Sequence, residues 1–176
     1  MRRVAVFGNT GGGKSTLARQ LSELTGLPLY AIDTFQYRPG GGQVSPEEYL
    51  AVHADILGRD RWLIDGYGDV ASSWERFAVA DTLVFVDLPL PTHGWWVTKR
   101  LAQGLFANPE GWPENSPVWS STLNSYKVLW RYRRRLTPRY RRYVAECVTS
   151  KRVHHLKSPL EISGFLRQVE SEMQSP

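Results

Sequence analysis

The chain has 176 residues, 41% of them hydrophobic, and a net charge of +5. That is one ordinary domain with enough apolar material for a real core, which excludes wholesale disorder. No apolar run approaches the ~20 residues that a bilayer-spanning helix needs, so no membrane partner is expected.

Met1-Arg2-Arg3 leads straight into an apolar run, without the h-region or cleavage site of a signal peptide. Arg3 to Phe7 predicts a buried strand. Directly after it stands Gly8-Asn9-Thr10-Gly11-Gly12-Gly13-Lys14-Ser15, a Gly, four residues, then Gly-Lys-Ser: the phosphate-loop (Walker A) spacing. Glycines let the backbone wrap an anion with its N–H groups, because a Cβ there would clash or forbid the needed φ values. The helix that starts at the loop sets its positive dipole end beneath the phosphates. Lys14 then reaches the outer phosphates, the Ser15 hydroxyl can ligate Mg²⁺, and Thr16 joins the candidate nucleotide-binding residues. A strand before the motif and a helical pattern after it (Ser15 to Thr25, stopped by Gly26) are the context this chemistry requires. The expected ligands are ATP and Mg²⁺.

Leu29 to Ile32 predicts a second strand, ended by Asp33, and Arg38 to Gln43 a loop. Ser45-Pro46-Glu47-Glu48 opens a helix to about Leu57, with a Ser cap, Pro in the first position and acids in the first turn. Trp62 to Asp65 is a third strand and Thr82 to Asp87 a fourth. Thr92 to about Phe106 is expected to be helical, and Asn108 to Trp119 an irregular loop. Helices follow over about 121–136 and from Pro138 to about Val148. Val153 to Leu156 is a fifth strand and Pro159 starts a last helix to about Ser171. Alternating strands and helices imply an α/β fold in three layers: a parallel sheet with helices on both faces. In such sheets ligands sit beyond the carboxyl ends of the strands.

The residues at those ends are the remaining candidates. Asp65 closes an apolar strand where a second carboxylate is wanted to hold Mg²⁺ directly or through water. Gly66 would let a substrate approach the backbone, and Tyr67 could stack on it. Asp33 stands where a phosphoryl acceptor would enter and could orient or deprotonate its hydroxyl; the alternative is that it caps the following turn. Asp87, with Pro89 beyond it, reads better as a helix-start cap. Between Lys127 and Arg142 the chain is strongly basic, with no acid. Leu123, Tyr126, Leu129, Trp130 and Leu136 form an apolar stripe there, with Lys127, Arg131 and Arg134 on another side. Residues 108–136 are therefore expected to form a lid, with Arg131 and Arg134 as its catalytic phosphate contacts and Arg100 as a further one. The same patch, with Tyr132, Tyr140 and Tyr143, also admits a nucleic-acid reading, and a solvated basic face is the third alternative. His154 and His155, adjacent on a strand, point to opposite faces and are expected to be structural. Cys147 is the only cysteine, which excludes an internal disulfide and suits a reducing, cytoplasmic setting; it reads as packing.

Gly8 to Thr16, Leu29 to Phe35, Asp60 to Gly66, Ala80 to Pro89 and the basic helix Trp130 to Arg135 together resemble the adenylate-kinase-like P-loop kinases. Within them the chain is most similar to the group called DNA topology modulation proteins, or adenylate kinase and related kinases. The resemblance covers nearly the whole chain, as one domain over residues 1–176. It implies a P-loop NTPase fold with a five-stranded parallel sheet of order 2-3-1-4-5 and a helical lid, ATP with Mg²⁺, and Ser158, between Lys157 and Pro159, beside the adenine. Two departures stand out. Gly68 follows Asp65-Gly66-Tyr67 where nucleotide kinases place Pro-Arg, and Asp33-Thr34-Phe35 replaces the threonine–glycine–aspartate of the monophosphate site. Both weigh against AMP as the acceptor. The reading from sequence is a kinase moving the γ-phosphoryl of ATP to a small hydroxyl acceptor. Its rivals are a nucleotide-gated, nucleic-acid-associated protein and a degenerate kinase that only binds nucleotide.

Overall fold

The computed structural model describes residues 1–9, 12–38, 42–92 and 130–174. Five strands, β1 (Arg3–Gly8), β2 (Leu29–Ala31), β3 (Trp62–Asp65), β4 (Thr82–Val86) and β5 (Arg152–Leu156), form one sheet in the order β2-β3-β1-β4-β5. Every neighbouring pair is parallel, so the expected order holds. The described helices are α1 (Lys14–Thr25), α2 (Pro46–Gly58), α3 (Val70–Val79), α4 (Thr137–Cys147) and α5 (Pro159–Gln174), with a 3₁₀ turn over Ile32–Gln36.

The three central strands, β1, β3 and β4, are mostly apolar because both faces are covered. Alternation sends Ala5, Phe7, Ile64, Leu83 and Phe85 into one core with residues of α2, α3 and α4. Val4, Val6, Leu63, Val84 and Val86 go into the other, against α1 and α5. The first core is aromatic: the Phe7 ring lies 4.2 Å from Phe77 of α3, 5.1 Å from Phe85 and 5.2 Å from Tyr140 of α4. Burying such a ring stabilises by roughly 1.5–3 kcal/mol, so this cluster fastens α3 and α4 to the sheet. Cys147 is buried in it, as packing.

Local signals account for most boundaries. Gly26 takes φ +64 and ends α1 through its N–H on the Ser22 carbonyl. Ser45 caps α2 by accepting from the Glu48 N–H at 3.1 Å. The second strand is shorter than expected, ending at Ala31, because the chain turns into the 3₁₀ segment and buries Ile32. The fourth ends at Val86.

α3 is not foreseen from the sequence. Asp69 starts it by accepting from the N–H groups of Ala71 (2.8 Å) and Ser72 (3.2 Å). Its buried face is Ser72, Ser73, Arg76 and Phe77, a polar set that hides the apolar stripe expected of a packed helix. All but the first residue of the expected helix over 92–106 and nearly all of the lid, 108–136, lie outside the described residues. The part of the basic segment that is described corrects the stripe: Leu136 is buried, but Trp130 is 55% exposed. The Arg134 guanidinium lies 5.0 Å above the Trp130 ring and covers it in place of a core.

Candidate active site

The carboxyl ends of the strands converge as the alternation requires. Register aligns Gly8 with Val86 of β4, Val6 with Asp65 of β3, and Ala31 with Asp65. The phosphate-loop motif therefore emerges beside Asp65, with Asp33 following β2 on one side and Asp87 following β4 on the other. Thr10 and Gly11 lie outside the described residues, as does Arg100.

Gly8 is required by close approach: it has φ +143, and a Cβ there would overlap the Val86 carbonyl. Gly13 sits in the left-handed region at the N-cap of α1, and no side chain caps that helix. Its first-turn N–H groups are left directed at the loop, as anion binding needs. The Lys14 ammonium donates to the Asn9 carbonyl at 2.9 Å. Gly12 is buried, while Ser15 and Thr16 are exposed.

Asp65 is 4% exposed. Burial raises its pKa, opposed by the Lys14 charge and a hydrogen bond from the Ser15 side chain. Among the described residues its buried Oδ1 has no hydrogen-bond partner. A buried carboxylate oxygen left unpaired costs free energy and is a natural seat for a cation. The Ser15 hydroxyl beside it completes the pair of oxygen donors expected of a Mg²⁺ site, so this donor set fits the ion.

Asp33 lies one strand further out. Its Oδ1 accepts from the N–H groups of Tyr67 (2.9 Å) and Gly68 (2.8 Å), and a Cβ on Gly66 would stand 2.7 Å from its Oδ2. The side chain thus pins the loop after β3. Arg76 of α3 grips the same loop from beneath. It is 1% exposed and donates to the carbonyls of Gly66 and Tyr67, each at 3.1 Å, while burial lowers its pKa. Residues 66–68 are held by an anion on their amides and a cation on their carbonyls. Nothing in the sequence around Arg76 marks it as buried.

Asp87 is not the helix-start cap expected of it. Its carboxylate receives Arg141 Nε at 2.7 Å and Nη2 at 3.0 Å, Arg133 Nη1 at 3.0 Å, and pairs with His155 Nε2 at 2.9 Å. Burial pushes its pKa up, but the Arg141 and His155 bonds outweigh that and hold it below the ordinary value. His154, on the opposite face as expected, packs against Phe165 at 4.4 Å. Within the basic segment, Arg133 and Arg141 are therefore turned onto the sheet edge. The predicted phosphate contacts, Arg131 and Arg134, are exposed. Spacing places Arg133 off the face chosen for them, and no pattern in the sequence couples it to Asp87. Ser158 caps α5: it accepts from the Glu161 N–H at 3.2 Å while Glu161 returns to the Lys157 N–H at 2.9 Å.

No protein-family model and no curated protein matches the chain. Among solved structures, it is similar to an unliganded sugar kinase from a Janibacter species, with 16% identity, a TM-score of 0.47 and coverage of 98% of this chain and 91% of that one. A gluconokinase from Sinorhizobium meliloti gives 14% identity, a TM-score of 0.48 and the same coverage, 98% and 91%.

Proposed function

We propose that this protein is an ATP-dependent phosphotransferase acting on a small hydroxyl acceptor, built as the adenylate-kinase-like P-loop kinases are. The observation that carries the reading is the unpartnered Oδ1 of buried Asp65 beside the Ser15 hydroxyl, directly behind Lys14 and an uncapped helix start. A turn-forming aspartate has no reason to be buried with an oxygen unsatisfied; one that shares a cation with a polyphosphate does.

In this reading the backbone of residues 8–13 and the first turn of α1 bind the phosphates, and Lys14 leaves the Asn9 carbonyl to meet the outer ones. Ser15 and Asp65 would hold Mg²⁺, which when bound neutralises charge on the phosphate oxygens. Asp33 orients the acceptor hydroxyl through its Oδ2, because its Oδ1 is committed to the backbone of Tyr67 and Gly68. Arg131 and Arg134, exposed on the segment that continues the lid region, neutralise the transferring group; Arg100 and Ser158 keep the roles the resemblance implies for them. The nucleic-acid reading is weaker, since Arg133 and Arg141 of the basic patch turn inward onto Asp87.

The test is Lys14→Ala. Binding of ATP with Mg²⁺, measured by calorimetry, and ATP consumption with or without acceptor are expected to be lost while circular dichroism and melting temperature stay near wild type. Unchanged turnover in that variant overturns the phosphate-loop role.

A further inference from the structure

Two consecutive residues of the basic segment reach opposite sides of the strand that carries the phosphate loop. Residues 130–135 are helical, and the Leu136 N–H continues the turn onto the Tyr132 carbonyl at 2.9 Å. Neighbouring side chains on a helix diverge by about 100°. Tyr132 turns one way, onto Tyr67 in the loop after β3, with ring centroids 4.9 Å apart. Arg133 turns the other way, onto Asp87 after β4, at 3.0 Å. In the sheet β3 and β4 flank β1. Two strand spacings, about 10 Å, separate them, with the phosphate-loop strand in between.

Each anchor touches a working part of the site. The Tyr67 N–H is bonded to Asp33 Oδ1 at 2.9 Å and the Tyr67 carbonyl to Arg76 at 3.1 Å, so a shift of Tyr67 shifts the carboxylate proposed to orient the acceptor. Asp87 follows Val86, whose carbonyl lies too close to Gly8 for a Cβ there. Charge at this second anchor is uneven. Arg141 alone engages both Asp87 oxygens, at 2.7 and 3.0 Å, His155 shares one of them, and Arg133 adds a second guanidinium. Among the described residues no other carboxylate pairs with either arginine. Two cations on one anion repel each other, and Arg133, with its single bond, is the weaker partner. Negative charge on the adjoining loop offsets that repulsion and strengthens its hold.

We infer that Tyr132 and Arg133 are positioning residues that couple the two halves of the site: a polyphosphate on the phosphate loop tightens Arg133 on Asp87, which seats Tyr132 on Tyr67 and steadies the loop that Asp33 holds. Nucleotide and acceptor then bind with positive coupling, and by linkage each raises the affinity of the other by the same factor. From the phosphotransferase reading this takes only that a polyphosphate occupies the loop and that Asp33 serves the acceptor; the link from Tyr132 to Tyr67 stands without it.

The experiment follows amide hydrogen exchange at Tyr67 and Gly68, the two N–H groups bonded to Asp33, by NMR, with and without a non-hydrolysable ATP analogue and Mg²⁺. Wild type is compared with Tyr132→Phe, Tyr132→Ala, Arg133→Met and Arg135→Met. Phe keeps the ring, Met at 133 keeps the stem without the charge, and Arg135, which is exposed, controls for a charge lost from the same segment. Saturating analogue is expected to slow exchange at both amides about fivefold or more in wild type, the lower end of typical coupling between sites. Tyr132→Phe and Arg135→Met should keep this slowing. Tyr132→Ala and Arg133→Met should lose it, although calorimetry shows the analogue still bound, and Tyr132→Ala should exchange faster without nucleotide. Slowing that persists in both of these variants, unchanged exchange in nucleotide-free Tyr132→Ala, faster exchange when wild type binds the analogue, or an equal loss in Arg135→Met each overturns the inference. If Tyr132→Ala does not melt as a folded protein, Arg133→Met decides. Wild-type protein that fails to bind the analogue sinks the phosphate-loop reading and the coupling with it; bound analogue without slowing sinks only the coupling.

Discussion

Replacing Asp65 with Asn separates what this carboxylate costs the fold from what it offers a ligand. Asp65 is buried, burial raises its pKa from 3.8, and one oxygen has no partner. A carboxyl whose folded-state pKa is raised contributes stability that is complete below the unfolded value and lost as pH rises through the folded one. Above its folded-state pKa the wild-type protein therefore carries the cost of a buried charge. Asn has nearly the same shape, cannot ionise, and still offers an acceptor to the Ser15 hydroxyl. Removing the charge should relieve about 1 kcal/mol, the excess cost of leaving a charged rather than a neutral buried group unpaired. For a chain of this length that raises the melting temperature by about 2–4 °C. The gain should shrink as pH falls through the folded-state pKa, where the wild-type carboxyl takes up its proton. Function should move the other way. At a nucleotide concentration about 100 times its Kd, the wild-type protein gains about 2.7 kcal/mol from binding, and the Mg²⁺-dependent part of that gain should vanish in Asp65→Asn. Calorimetric melts at pH 8 and pH 4.5, with and without a non-hydrolysable ATP analogue and Mg²⁺, read both effects. A variant that melts lower at pH 8, or keeps the Mg²⁺-dependent gain, refutes this account of Asp65.

Two other predictions test the surroundings of the site. Gly66→Ala forces a Cβ to 2.7 Å from Asp33 Oδ2 and an Ala to φ +108, so it should cost about 1–3 kcal/mol in backbone strain alone and lower acceptor-stimulated turnover by displacing Asp33. Gly58→Ala, where a Cβ meets nothing within 4 Å, is the control and should be neutral or slightly stabilising in urea melts. The second concerns pH. Burial, helped by the Arg76 charge, lowers the His53 pKa from 6.5 to about 4, so protonation opposes folding: stability is complete above pH 6.5 and falls as pH drops toward 4, by up to about 3 kcal/mol. Urea midpoints between pH 7 and pH 4.5 should show this slope, and His53→Leu should remove it; an unchanged slope in the variant assigns the effect to other groups.

Much of the site was legible along the chain because its pieces are local. A phosphate loop is a contiguous backbone device, so Gly8 to Ser15 declares itself by spacing, and the strand ending at Asp65 is visible as an apolar run closed by one carboxylate. Ser45 and Gly26 act on backbone groups within a turn of themselves, and they appear where their chemistry placed them. α3 escaped notice for a physical reason: its buried face holds Ser72, Ser73 and Arg76, whose polar groups find partners across the fold, so no apolar period announces it. The misreadings of Trp130 and Asp87 have the same origin. Trp130 finds cover from Arg134, and Asp87 finds its partners 46, 54 and 68 residues away.

The amino-acid order alone thus determined that strands alternate with helices, where the anion-binding loop lies, and which carboxylates close the strands, because each depends on neighbours within a few positions. Only the tertiary structure decided which of those carboxylates remain unpaired. Asp33 and Asp87 are engaged by distant amides and guanidinium groups, while Asp65 keeps one oxygen without a partner among the described residues. A pairing between charges far apart in sequence exists only once the sheet has brought them within hydrogen-bond reach.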